Sequence, residues 1–75
     1  MDVYKAMSQY SMNVFWSNAD KAYLVEVPEL PGCMADCKTR NEAVENAETV
    51  IREWIETARA LGRPIPLPLL REAAI

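Results

Sequence analysis

Seventy-five residues are enough for one domain with a thin core, because a chain this short buries only about 60% of the surface it exposes when unfolded. A hydrophobic fraction of 51% excludes a disordered chain, and a formal net charge of −3 argues against direct binding to phosphate backbones, which calls for a basic footprint. No apolar run approaches the ~20 residues that span a bilayer, and the opening Met1-Asp2-Val3-Tyr4-Lys5 lacks the basic-then-apolar pattern of a secretion signal, so a cytoplasmic location is expected.

Residues 1–9 show no period. Tyr10 to Ser17 alternates, with Tyr10, Met12, Val14 and Trp16 set against Ser11, Asn13, Phe15 and Ser17, and this period of two predicts a strand. Asn18-Ala19-Asp20-Lys21 reads as a turn, Ala22 to Val27 as a second strand, and Pro28-Glu29-Leu30-Pro31-Gly32 as a stop that no central ladder could continue. Cys33 to Cys37 is a short third strand. Strand geometry would hold these two cysteines about 13 Å apart, too far for a disulfide, so they read as small buried hydrophobes. A zinc site would need two further ligands, and there is no His to help supply them, so no metal or cofactor is expected.

Thr39 followed by Glu42 has the spacing of a capping box. From Arg40 to Leu61 apolar residues recur at helical spacing: Ala43, Ala47, Val50, Trp54, Ala58 and Leu61, with Val44, Ile51 and Ile55 widening the stripe. Gly62 sits where a left-handed cap belongs, and Pro64 forbids a restart. In Pro64-Ile65-Pro66-Leu67-Pro68 the prolines remove donors from one side only, which permits a fourth, edge strand over 65–69 or a polyproline II segment. Residues 69–75 have room for a short helical tail.

The fold class that follows is α+β: a three-stranded antiparallel sheet packed on one helix, in the order β-β-β-α with an optional last strand. Placing Trp16 opposite Tyr23 sets Val14 against Val25 and Met12 against Val27, an apolar inner face for the helix to cover, joined by Cys33, Ala35 and Cys37. The reverse face then carries Phe15, Leu24 and Met34 as an apolar patch between the carboxylates of Glu26 and Asp36. One helix shields one side of a sheet, so these five residues are the candidate partner-binding surface, toward another protein or another copy.

Three blocks carry a family resemblance: Tyr23-Leu-Val-Glu-Val-Pro-Glu-Leu-Pro-Gly-Cys33, then Cys37-Lys-Thr-Arg-Asn-Glu-Ala43 with Trp54 beyond it, then Gly62-Arg-Pro-Ile-Pro66. In this order they resemble the HicB-like antitoxin family over about residues 10–68. The resemblance implies a degenerate RNase H-like fold and an antitoxin that masks a small, basic, RNA-cleaving toxin of the HicA type. Many relatives add a C-terminal DNA-binding module; the seven residues after the Pro-rich close are too few for one, so a single domain over 1–75 is expected. A homodimer or higher homo-oligomer is also expected.

Two other classes compete. RNase H chemistry needs a cluster of carboxylates around two metal ions. The strands offer Glu26 and Asp36, and no histidine stands ready as a base, so no enzyme is expected. Phe15 on an open sheet is reminiscent of sheets that stack single-stranded nucleic acid, yet its expected neighbours are acidic, so no nucleic-acid contact is expected. The remaining alternative is an oligomeric interaction module with no toxin partner.

Overall fold

The computed structural model describes residues 9–69. It contains three strands, β1 (Asn13–Ser17), β2 (Ala22–Glu26) and β3 (Met34–Cys37), followed by one helix, α1 (Arg40–Ala60). The strands form a meander in the order β1-β2-β3, antiparallel at both joints. The α+β class read from the sequence is the one observed, with each strand starting or ending a residue or more inside its predicted span.

The register is the one with Trp16 opposite Tyr23, which gathers Val14, Trp16, Tyr23 and Val25 on one face. Val14 lies opposite Val25, Phe15 opposite Leu24 and Trp16 opposite Tyr23. Leu24 in turn lies opposite Asp36, Val25 opposite Ala35 and Glu26 opposite Met34. The β1–β2 turn is tied by the Ser17 hydroxyl, which donates to Asp20 (2.7 Å), and by Lys21 Nζ, which donates to Asn18 (2.7 Å). Between β2 and β3, Gly32 takes a left-handed φ of 78° that costs a glycine little. The Leu30 amide there donates to Val27 O (3.1 Å) and the Cys33 amide to Leu30 O (3.0 Å).

Helix α1 starts at Thr39, whose hydroxyl accepts the Glu42 amide at 3.2 Å. The reciprocal half of the expected capping box is not made: the Glu42 carboxylate instead accepts the Cys37 thiol at 3.0 Å. At the other end Leu61 is the cap, and Gly62 (φ 68°) leads the chain out, as expected. Leu61 itself is exposed rather than part of the buried stripe.

The core has two adjoining parts. Ala43 and Ala47 of α1 pack on Val25, with Tyr23, Ala35 and Cys37 around them. Small residues on both sides let helix and sheet come close. Farther along, Ile51 and Ile55 meet Tyr10, Val27, Leu30 and Cys33, and Met12 touches both parts. Burial raises the Cys33 thiol above its usual value, which keeps it protonated and unreactive. Neither cysteine is in a disulfide.

Two expectations need correction. The Pro-rich segment forms no strand; its described residues, 63–69, are irregular. They are held by tertiary bonds instead: the Tyr10 hydroxyl donates to Pro66 O, and the Leu69 amide donates to Glu29. In addition, Val14 and Trp16, expected beneath the helix, are 37% and 48% exposed. A helix is about 10 Å across and strands lie about 4.8 Å apart, so α1, seated on β2 and β3, covers little of β1. The tail expected after Leu69 lies outside the described residues.

Candidate partner-binding face

The face of the sheet turned away from α1 is built by the register. Side chains alternate across a strand, so Phe15, Leu24, Glu26, Met34 and Asp36 all point to it. Phe15, Leu24 and Asp36 form one row across the three strands, and the Glu26–Met34 pair lies in the next row. Phe15 is 40% exposed and Met34 48%, Leu24 is half-buried, and Glu26 and Asp36 are exposed. The structure therefore brings together all five residues singled out from the sequence. The result is an apolar centre with carboxylates at its margin, and no part of α1 lies over it.

Two features escaped the sequence. The first is Glu29, assigned to a turn, whose residue is only 9% exposed. Its carboxylate accepts the Ser11 amide (2.9 and 3.2 Å) and the Leu69 amide (3.0 Å). Burial alone would raise its pKa, but these amide donors outweigh burial and hold the carboxyl below its usual value. Burial of the ring and, after it, the charge of Glu29 push the Tyr10 hydroxyl up, so Tyr10 remains a donor to Pro66. Glu29 thus joins the segment before β1, the β2–β3 loop and the Pro-rich segment.

The second is an open apolar groove of about 570 Å3 between the C-terminal half of α1 and the Pro-rich segment, lined by Pro31, Val50, Trp54, Leu61, Pro64 and Pro66 among others. Trp54, expected in the core, is half-buried at this groove, and its indole N–H donates to Pro31 O at 3.0 Å. A tryptophan at helical spacing signals burial, but a polar ring nitrogen needs a partner, and here the partner is at the surface.

Among the described residues no three His, Cys, Asp or Glu side chains gather as a metal site would require. Among them too, no helix is long and apolar enough to cross a membrane.

Residues 10–73 match the family model described as HicB_like antitoxin of bacterial toxin-antitoxin system. The chain belongs to the HicB-like antitoxin family. It is 38% identical over 53 residues to the UPF0150 protein Ta0767 of Thermoplasma acidophilum, a match covering 71% of this chain and 77% of that one. It is 32% identical over 53 residues to the UPF0150 protein ssl0259 of Synechocystis, covering 71% and 73%. The crystal structure of TTHA0281 from Thermus thermophilus shares the fold, with a TM-score of 0.60, 21% identity, and coverage of 92% of this chain and 90% of that one. Membership of the HicB-like family points to a toxin partner in general and to a regulatory rather than a catalytic role.

Proposed function

We propose that this HicB-like domain masks a small basic RNA-cleaving toxin of the HicA type, and that it does so with the sheet face opposite α1. One observation carries the reading: the register gathers Phe15, Leu24 and Met34 into an uncovered apolar centre with Glu26 and Asp36 beside it. An apolar centre with a charged margin is the make-up of a protein interface, and carboxylates suit a partner whose own surface must attract RNA. The domain works as a cover rather than a catalyst, in a homo-oligomer, in the cytoplasm. The degenerate RNase H-like fold implied by the family would then serve as a scaffold without its chemistry.

The test is a titration of a purified HicA-type toxin against the chain and its Met34→Lys variant. Met34 is exposed on the far strand, so the variant should fold normally. A lysine there should weaken binding by roughly 10–100-fold, the effect of a charge set into the centre of an interface. Binding at unchanged affinity would remove this face from the interaction. The indifferent partner would be a variant in the Trp54 groove, Leu61→Lys.

A further inference from the structure

We propose that β1 is the seam between two copies of this chain, paired antiparallel edge to edge into a six-stranded sheet. This deepens the self-association named above, and it assigns that contact to the strand edge that borders the toxin face.

The hydrogen-bond pattern fixes which groups β1 offers. The Val27 amide donates to Cys33 O at 3.1 Å, and the Asp36 carbonyl is taken by the Asn46 side chain at 3.0 Å. Bonded pairs alternate along an antiparallel ladder, so Val25 and Tyr23 turn their backbone groups toward β3, and Leu24 turns its own toward β1. Phe15, opposite Leu24, is therefore bonded to β2. Val14 and Trp16 then direct their N–H and C=O groups to the outer edge, where no described strand pairs with them.

The two edges of the sheet are treated differently. On β3, Asn46 of α1 caps the Asp36 carbonyl, and the charged Asp36 and Lys38 stand at the strand and its end. Edge strands are commonly protected by such blocks, by charges or by proline. Ser11 to Asn18 has no charge, no proline and no glycine. In a chain of net charge −3, this neutral stretch is where a second copy approaches with least repulsion.

The side chains complement themselves. A two-fold axis through Phe15 sets Val14 against Trp16 of the second copy, Asn13 against its Ser17, and Phe15 against its Phe15. On the helix side, Val14 and Trp16, left unroofed by α1, meet their opposites beside the edge-to-face Trp16–Tyr23 pair (5.2 Å). On the reverse side, the two Phe15 rings join the two apolar patches into one. Both helices lie on the same side of the joined sheet, so the toxin face stays open.

Sedimentation equilibrium tests the seam. The chain should run at twice its 8.5 kDa mass. Val14→Pro removes an outward N–H that β2 does not use, so circular dichroism should be unchanged. Loss of the two symmetric ladder bonds should weaken the dimer roughly thirty-fold. Trp16→Lys, at an exposed side chain, should give a folded monomer and carries the test if Val14→Pro does not fold. A wild-type monomer at tens of micromolar, or a dimer that survives Trp16→Lys and breaks with Met34→Lys, would overturn the seam. Toxin titration of the Trp16→Lys monomer separates the two proposals: retained binding keeps the masking reading whatever the oligomeric state, and lost binding in a folded monomer would show that the two surfaces are not separate.

Discussion

Replacing Glu29 with Gln tests the buried carboxylate that ties three segments of the chain together. The carboxylate accepts two backbone amides, Ser11 at 2.9 Å and Leu69 at 3.0 Å, and its residue is 9% exposed. Both amides bond the same oxygen, Oε2, and the other oxygen takes only a longer contact from Ser11 at 3.2 Å, so a carboxamide with its oxygen in that place keeps both bonds and loses the charge. Hydrogen bonds to a charged group contribute about 1.5–3 kcal/mol each, and neutral ones about 0.5–1.5 kcal/mol. Two bonds that fall from the first range to the second should lose about 2–3 kcal/mol. That is a large share of a total near 5 kcal/mol for so small a domain. The melting temperature at pH 7 should fall by roughly 10–25 °C. The sign of the pH dependence follows from the lowered carboxyl pKa in the folded state. A lowered value means stability that is fully present above the unfolded carboxylate range and is lost as pH falls through the folded value. Wild type and Glu29→Gln should therefore differ at pH 7 and converge in acid, where wild type carries the protonated group. Thermal melts by circular dichroism across that range decide it. Equal melting temperatures at pH 7, or a gap that persists undiminished in strong acid, would refute the reasoning.

The other stability predictions separate capping from packing. Thr39→Ala should cost about 0.5–2 kcal/mol, because Thr39 caps the helix through the Glu42 amide. Glu42→Ala should cost less, about 0.3–1 kcal/mol, since its carboxylate makes no return bond to the cap and acts through the helix dipole and the Cys37 thiol. Urea titrations of the two variants rank them. Ile51→Ala, at a fully buried site, should cost about 2–5 kcal/mol. Trp54→Phe should cost only about 0.5–1.5 kcal/mol, the value of its bond to Pro31, and a larger loss would place the ring deeper than the groove.

The parts of the fold that were legible in the sequence are those written as a period. The stripe Ala43, Ala47, Ile51, Ile55 and Ala58 names the buried side of α1. The two-residue alternation sorts Val14 and Trp16 from Phe15, and Tyr23 and Val25 from Leu24; of the registers it allows, the one with Trp16 opposite Tyr23 is observed, and it gathers the five residues of the candidate face. A period states which way a side chain points, but it does not state whether anything lies above it. For that reason Val14 and Trp16 passed for core, although the width of one helix leaves them open. Glu29 was illegible because its partners, Ser11 and Leu69, lie 18 and 40 residues away and offer only backbone amides. The alternate prolines of 64–68 allowed a strand or an open segment, and the choice was made by Tyr10 and Glu29, both outside it.

The central claim is that the sheet face away from the helix meets the partner. Methyl and aromatic NMR of the labelled chain, with an unlabelled HicA-type toxin added, examines every candidate surface at once. The resonances of Phe15, Leu24 and Met34 should shift or broaden, while Leu61 and Trp54 in the groove stay in place. Shifts confined to Leu61 and Trp54, with Phe15, Leu24 and Met34 unmoved, would contradict the claim and move the partner to the groove.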